Sequence, residues 1–171
     1  ACSGVGVIRG IIASAPTIDD IVATPTGFLS TVLDANGNQT ATLVASGSNR
    51  RAVTIDEIPK NLQHAFVAIE DERFYEHNGI DVTGIIRAGV KGVASGFHFS
   101  EGASTITQQL LKNTVFTSWT SESSMADKFE RKFQEQYLAL QLEKVVDKDW
   151  ILENYLNAIN LGQNTLGVGV A

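Results

Sequence analysis

The order of hydrophobic and polar positions changes character near residue 57. Residues 13–57 combine Thr, Val, Ser and Gly with two prolines, a mixture that favours extended structure and turns. From Ile58 onward, apolar residues recur every three or four positions, which is the period of an amphipathic α-helix. The pattern therefore predicts a small β-rich linker or hairpin segment followed by a mainly α domain over 58–171.

The β-rich segment centres on a predicted hairpin. Two β-prone stretches, Phe28–Leu33 and Gln39–Val44, flank Asp34–Asn38. The Asn-Gly step inside that short connection is a strong signal for a tight turn. Arg50–Ile55 is predicted to add a third strand. No chemistry is evident here, so a small sheet or linker is the simplest interpretation.

Five helices are predicted after residue 58 from apolar spacing and from residues that start helices. Their starts share a proline or a short polar side chain, at Pro59, Asp81, Thr105, Ser124 and Asp147. Thr105 and Gln108 also form a capping-box pattern. The apolar stripes are Leu62, Phe66 and Ile69; Val82, Ile85, Ile86 and Val93; Leu110 and Leu111; Phe129, Phe133, Tyr137 and Leu140; and Ile151, Leu152, Tyr155 and Leu156, with the last helix ending near Gly162.

Composition and charge limit the classes of function. Hydrophobic residues make up 43% of the 171, which is enough for a folded core. The net charge of -6 argues against a nucleic-acid partner, so an anionic substrate would need a local basic cluster such as Lys128, Arg131 and Lys132. Cys2 is the single cysteine, which excludes a disulfide within the chain.

The two ends of the chain have their own signals. Residues 1–12 are small and apolar apart from Arg9, which fits either a buried helix or strand start or the outer end of a truncated membrane anchor. No window holds ~18 consecutive apolar residues, so no complete transmembrane helix is predicted. The chain stops at 167–171 without a polar tail, which favours a fragment of a longer protein.

Three successive carboxylates, Glu70, Asp71 and Glu72, end the first predicted helix. Such crowding of like charges suits a carboxylate that must accept a proton. The alternative is a solvated helix end. His77, which precedes an Asn-Gly step, fits a turn or capping residue as well as a catalyst.

A segment rich in glycine and hydroxyl residues, 102–107, enters the third predicted helix. Backbone N–H groups and hydroxyls at such a helix start can face an anion or a sugar. Gln108 and Gln109 have amides suited to sugar hydroxyls, and Lys112 can face a phosphate. The alternative is a well-capped helix with a polar surface.

The fourth predicted helix carries Lys128, Arg131, Lys132 and Glu135. Positions 128, 131 and 135 are three and four residues apart and therefore share one face. The cations can hold a diphosphate while Glu135 orients a sugar. The alternative is an ordinary salt-bridge ladder on the surface.

The order of these clusters resembles one family. Residues 70–79 are similar to the EDxxFxxHxG signature of the family 51 peptidoglycan glycosyltransferases, found in class A penicillin-binding proteins. Residues 102–109 resemble its GxSTxxQQ signature, 131–135 its RKxxE signature and 148–157 its KxxILExYLN signature. Gly162 and 167–168 resemble the start of a last signature, which the chain truncates. Four full signatures in order make coincidence very improbable.

The resemblance implies a mainly α, lysozyme-like fold and a polymerase of lipid II. Glu70 would act as general base on the acceptor 4-hydroxyl, which attacks the anomeric carbon of the lipid-linked strand, inverts it and releases undecaprenyl diphosphate. Glu135 would be the second carboxylate. The residues expected to bind substrate are Asp71, Phe74, His77, Ser104, Thr105, Gln108, Gln109, Lys112, Asn113, Lys128, Arg131 and Lys132.

The resemblance also implies partners and a location. Lipid II, a lipid-linked glycan strand, the membrane and other cell-wall synthesis proteins are the expected partners, at the extracytoplasmic face of a bacterial membrane. A divalent cation, magnesium or manganese, is implied at the diphosphate, although the sequence shows no metal-ligand set. The chain departs from relatives in Thr114–Asp127, where Asp127 stands near a position that often carries a cation.

Two alternatives remain from the sequence. A lysozyme-like hydrolase would use the same fold to cut glycan strands, with a carboxylic acid that protonates the leaving oxygen. The glutamines, Lys112 and the Arg131-Lys132 pair favour a diphosphate leaving group instead. A scaffold that has lost activity is the second alternative, and the presence of both expected glutamates argues against it.

Overall fold

A computed structural model describes residues 9–15, 30–43, 50–94, 104–116, 125–162 and 165–171. The regular elements are β1 (Ser30–Leu33), β2 (Gln39–Leu43), α1 (Lys60–Glu70), α2 (Val82–Ala94), α3 (Ile106–Thr114), α4 (Met125–Leu142) and α5 (Lys148–Ala158). Short 3-10 helices lie at Ile55–Glu57 and Val168–Val170, and residues 9–14 are helical. The prediction of a mainly α domain after a small hairpin is confirmed.

The hairpin forms as the turn signal predicted. Strands β1 and β2 pair antiparallel, with Ser30 opposite Leu43. One carboxylate oxygen of Asp34 accepts hydrogen bonds from the backbone N–H groups of Asn36 and Asn38, both at 2.8 Å. The Asn38 side-chain amide also donates to Asp34, at 3.0 Å, and contributes most to holding the pKa of Asp34 below its usual range; the backbone bonds add to it. The turn is thus stabilised locally by its own polar side chains.

The third strand predicted at Arg50–Ile55 is wrong. Residues 50–54 have no regular structure, and the 3-10 helix follows. Their backbone groups bond to side chains of α5: the Val53 N–H and C=O pair with the amide of Asn157 at 3.1 and 2.8 Å, and the Ile55 N–H donates to Glu153 at 2.7 Å. Side-chain partners satisfy this backbone, so it needs no neighbouring strand.

The core lies where α3 and α5 pack together and where α4 covers α3. Among the described residues, apolar side chains with no exposed surface come from all three helices and from the connection after α1. They are Phe74, Ile106, Leu110, Leu111, Leu138, Ala139, Ile151, Leu152 and Leu156. The stripes predicted on α3 and α5 are therefore buried as expected.

The stripes predicted on α1 and α4 face outward in part. Ile69 is 80% exposed and Phe129 is 63% exposed, whereas Gln63 and Val67 are the buried residues of α1. Gln63 is buried because its amide donates to two backbone carbonyls, of Ile55 and Ile58, at 2.8 Å each. Periodicity predicted these helices correctly and their buried faces only in part, since Phe66 and Tyr137 do pack against the core.

Three predicted helix caps are present. Asp81 accepts from the Gly84 N–H at 2.9 Å, Thr105 from the Gln108 N–H at 3.2 Å, and Asp147 from the Trp150 N–H at 2.8 Å. Pro59 is the residue before α1, as expected, whereas Ser124 lies outside the described residues. Helix α5 ends at Ala158, before Gly162.

Gly79 closes the connection between α1 and α2. Its φ is +92°, and an added Cβ would lie 2.6 Å from the Ala139 carbonyl oxygen of α4. We expect Gly79→Ala to lower the free energy of unfolding by about 1–3 kcal/mol through strain and overlap. Urea unfolding measures this, with Gly37→Ala as the control, because Gly37 has φ +83° but open space around it. Equal losses in the two variants would contradict the packing argument.

Residues 9–14 lie against α4. The amide of Gln134, 1% exposed, donates to the Ser14 hydroxyl at 3.0 Å, and that hydroxyl donates to Glu130 at 3.3 Å. The anchor predicted over 1–12 falls mostly outside the described residues. No helix within the described ranges is long and apolar enough to cross a membrane.

Candidate active site

Glu70 ends α1 and is held by a short chain of hydrogen bonds. The Gln109 side chain donates from Nε2 to Glu70 Oε2 at 3.0 Å. The Tyr155 hydroxyl donates in turn to Gln109 Oε1 at 3.4 Å, which fixes the orientation of the amide. Burial raises the pKa of Tyr155, and Glu70 adds to the rise, so the hydroxyl keeps its proton. Three helices thus position one carboxylate.

The neighbouring carboxylate, Asp71, is buried and works as a structural link. Its oxygens lie 3.0 and 2.9 Å from His77 Nε2, and one of them also accepts from the Ile106 N–H at 3.0 Å. The Gly79 N–H donates to His77 Nδ1 at 3.1 Å, which assigns the ring proton to Nε2. The Thr105 hydroxyl completes the link by donating to the Gly79 carbonyl at 2.8 Å. Asp71 therefore joins the end of α1 to the start of α3.

We expect Asp71→Asn to lower the free energy of unfolding by about 1–3 kcal/mol. An asparagine can accept from Ile106 only by turning its NH₂ group toward the N–H of His77, where two donors would meet. The ring cannot change tautomer freely, because Nδ1 already accepts from Gly79. Urea unfolding measures the loss. The exposed Asp56 supplies the control, Asp56→Asn, and an equal effect there would rule out the buried link.

Lys132 of α4 contacts two acceptors at the start of α3 and a third on its own helix. Its Nζ lies 2.6 Å from Ser104 Oγ, 3.4 Å from Gln108 Oε1 and 3.2 Å from Glu135 Oε2. Glu135 is 2% exposed, and its other oxygen lies 3.1 Å from Arg131 Nε. The signatures at residues 102–109 and 131–135 are thus joined through the ammonium group of Lys132.

These groups border a groove of about 830 Å³. Residues of α2, α3 and α4 line the groove, together with Glu70 at the end of α1. Its lining is Glu70, Ile85, Ala88, Gly89, Ser104, Gln108, Gln109, Lys112, Asn113, Phe129, Arg131, Lys132, Glu135 and Gln136. It contains both glutamates predicted to be catalytic and seven of the residues predicted to bind substrate. The sequence signatures therefore converge on one polar groove.

Five residues predicted to bind substrate do not line this groove. Asp71, Phe74 and Thr105 are buried, the His77 side chain is nearly so, and Phe74 has no exposed surface. Lys128 is exposed on α4. Burial favours a supporting role for the first four, and direct contact with substrate stays a prediction for all five.

Several residues that support or line the site were not predicted from the sequence. Gln136 lines the groove, and Tyr155 was predicted only as an apolar residue of α5. Arg73 pairs with Asp81 at the start of α2. Glu143 accepts from the Thr107 hydroxyl of α3 and pairs with Lys148 at 2.6 Å. The ammonium group of Lys148 lies 4.5 Å from the centre of the Phe74 ring. The sequence signal for such residues was a hydroxyl or a charged group at a helical position expected to be buried, because a buried polar group needs a partner.

The fold and the groove define the class of protein. The family model described as transglycosylase matches residues 36–171, which is most of the chain. The chain belongs to the transglycosylase family, the peptidoglycan glycosyltransferase domains with a mainly α, lysozyme-like fold. The match covers all the residues of the groove.

Named relatives refine this class. The chain is 45% identical to penicillin-binding protein 1A of Clostridium novyi over 99% of its own length and 20% of the relative's. It is 45% identical to penicillin-binding protein 1A of Clostridium perfringens over its full length and 25% of the relative's. It is 40% identical to penicillin-binding protein 1A/1B of Bacillus subtilis, over 97% of its own length and 18% of the relative's. The chain thus spans about a fifth to a quarter of these relatives and resembles the glycosyltransferase domain of class A penicillin-binding proteins.

Proposed function

We propose that this domain polymerises lipid II into β-1,4 glycan strands and releases undecaprenyl diphosphate. Glu70 removes the proton from the acceptor 4-hydroxyl as that oxygen attacks the anomeric carbon of the lipid-linked strand. The bond to the diphosphate breaks, and the configuration at the anomeric carbon inverts. The main support is the carboxylate of Glu70 in the lining of the groove, oriented by Gln109 at 3.0 Å.

The cations of the groove suit a diphosphate leaving group. Lys112, Arg131 and Lys132 all line it, and negative charge on the leaving group grows as the glycosidic bond breaks. Preorganised cations at such a position lower the barrier, typically by several kcal/mol. Gln108 Nε2 is buried and has no hydrogen-bond partner among the described residues. That amide is a further donor for a phosphate or sugar oxygen.

Glu135 has a different role from Glu70 in this proposal. Its carboxylate is engaged by Arg131 and Lys132, so it is poorly placed to act as a free base. It instead holds the two cations in a fixed arrangement on the donor side. Substrate oxygens would compete with Ser104 and Gln108 for the protons of Lys132.

Apolar side chains around the groove favour a lipid-linked substrate at a membrane. Ile85 of α2 and Phe129 of α4 both line the groove. On α2, Val82, Ile86 and Val90 are 61%, 62% and 66% exposed. An apolar helix surface of this kind suits contact with acyl chains. We accordingly propose the extracytoplasmic face of a bacterial membrane as the location, with other cell-wall synthesis proteins as further partners.

A divalent cation at the diphosphate stays a prediction. Within the described ranges, no three histidine, cysteine, aspartate or glutamate side chains lie close enough together to hold a metal ion. The phosphate oxygens would have to supply most of the ligands. No step proposed above depends on a metal.

The test is turnover of labelled lipid II by the chain in detergent micelles, with separate detection of polymer and of cleaved glycan. Polymer with release of undecaprenyl diphosphate supports the proposal. Cleavage of preformed strands without synthesis would establish the hydrolase alternative. Binding of lipid II without either product would establish an inactive scaffold.

A further inference from the structure

Arg73 and Asp81 join the segment that carries Glu70 to the helix that forms one wall of the groove. The guanidinium contacts the carboxylate through two nitrogens: Nη2 pairs with Oδ2, and Nε lies 3.3 Å from Oδ1. Their side chains are only 18% and 15% exposed. The hydrogen bond from Arg73 holds the pKa of Asp81 below its usual range. Two-point pairing of this kind restricts orientation as well as distance.

Asp81 also caps α2. The oxygen that faces Arg73 Nε accepts from the Gly84 N–H at 2.9 Å, and the Ile85 N–H donates to the Asp81 carbonyl at 3.0 Å. A Cβ on Gly84 would overlap the Asp81 carboxylate and crowd the Arg73 guanidinium. Backbone, carboxylate and guanidinium therefore pack closely at the first turn of α2.

Among the described side chains of α2, which end at residue 90, little apolar surface is buried. Val82, Ile86 and Val90 are all more than 60% exposed, and Ile85 is 36% exposed. Helices in proteins depend on packing of an apolar face for most of their stability. Because Ile85, Ala88 and Gly89 line the groove, a rotation of α2 about its first turn would change the groove's width.

We propose that Arg73 is a positioning residue, which fixes the α2 wall of the groove relative to Glu70 through its two-point pairing with Asp81. Arg73 does not line the groove and acts through Asp81 and the first turn of α2. Its effect on lipid II binding rests on the function proposed above. Its effect on α2 itself does not depend on that function.

The first measurement is hydrogen–deuterium exchange of the full chain without substrate. In Arg73→Gln we expect amide exchange in α2 to rise about tenfold, because local opening costs less once the pairing is lost. Exchange in α3 and α5 should stay unchanged. Asp81→Asn should behave alike, since asparagine still caps a helix but pairs weakly with arginine. Lys144→Gln, an exposed charge after α4, is the control.

The second measurement is steady-state kinetics with lipid II. Arg73→Gln should raise KM about five- to tenfold while kcat changes less than about twofold, as expected for lost binding rather than lost chemistry. Arg73→Lys, which keeps the charge but not the two-point geometry, should fall between. The double variant with Asp81→Asn should be no worse than either single one, because both remove the same interaction.

Each outcome decides the proposal. Unchanged α2 exchange in Arg73→Gln would overturn it, and so would an equal rise in α2, α3 and α5, which indicates general destabilisation. A fall in kcat at constant KM would also overturn it. If the wild-type chain makes no polymer but α2 exchange responds as expected, the pairing is supported and the proposed function fails instead.

Discussion

Replacement of Glu70 by glutamine should lower kcat for lipid II polymerisation by about 10²–10⁴-fold, the usual contribution of a general base. The amide cannot accept the proton of the acceptor hydroxyl. Its carbonyl oxygen can still accept from Gln109, which donates to Glu70 at 3.0 Å, so the local geometry should survive. Rates from labelled lipid II and the midpoint of thermal unfolding, measured on the same preparation, separate chemistry from folding.

The matched control for Glu70 is Glu76→Gln. Glu76 belongs to the same acidic segment but is exposed and does not line the groove. We expect its kcat to stay within about threefold of the wild-type value, as for a surface residue with no part in the reaction. Equal losses at the two positions would show that the general charge of the segment matters, and not a particular base.

Glu135→Gln should also be severe, with kcat reduced by about 10²–10³-fold, comparable with the loss of a preorganised electrostatic group. Its carboxylate lies 3.1 Å from Arg131 Nε and 3.2 Å from Lys132 Nζ. A neutral amide would leave the two cations free to repel each other and to move from the positions that suit the diphosphate. Lipid II turnover measures the loss, and the same assay across salt concentrations tests its electrostatic origin.

Glu130→Gln is the control for Glu135, because Glu130 lies on α4 and contacts Ser14 instead of the groove. Its kcat should remain close to that of the wild type. The variants also distinguish two models of Glu135. If Glu135→Gln keeps kcat but weakens substrate binding, the carboxylate orients the bound donor and contributes nothing specific to the transition state.

Much of the fold was predictable because its signals are local. Asp81, Thr105 and Asp147 cap their helices through side chains that reach only three residues along the chain. The hairpin likewise depends on one turn, at Asp34–Asn38. Both partners of such an interaction lie within a few residues of each other, so a short stretch of sequence is enough to predict it.

The buried faces of α1 and α4 were not predictable in the same way. Gln63 is buried because two backbone carbonyls of a preceding turn accept from it. Phe129 is 63% exposed and lines the groove. Both facts depend on tertiary neighbours, which override periodicity. The third strand failed for a similar reason, because its backbone partners are side chains from more than 90 positions away.

The groove was predictable in its composition and not in its organisation. The signatures identified Glu70, Gln109, Lys132 and Glu135 by residue type and spacing. They did not indicate that Asp71 would face the interior while its neighbour Glu70 faces the groove. That difference arises because α1 ends at Glu70 and the backbone of Asp71 is no longer helical, so the two side chains point in different directions.

The contacts between the segment around Val53 and helix α5 carry a consequence for the speed of folding. Asn157 lies 104 residues beyond Val53 in the sequence. Gly167 also packs closely against Asn157, since a Cβ added to Gly167 would lie 2.6 Å from the Asn157 carbonyl oxygen. Closing so long a loop is entropically costly and slow compared with the formation of local helices. During synthesis, α1 and Glu70 are made long before Asn157. Asn157 is the residue that holds the segment around Val53, which precedes α1. The acidic end of α1 should therefore reach its final position only after the fifth helix has docked.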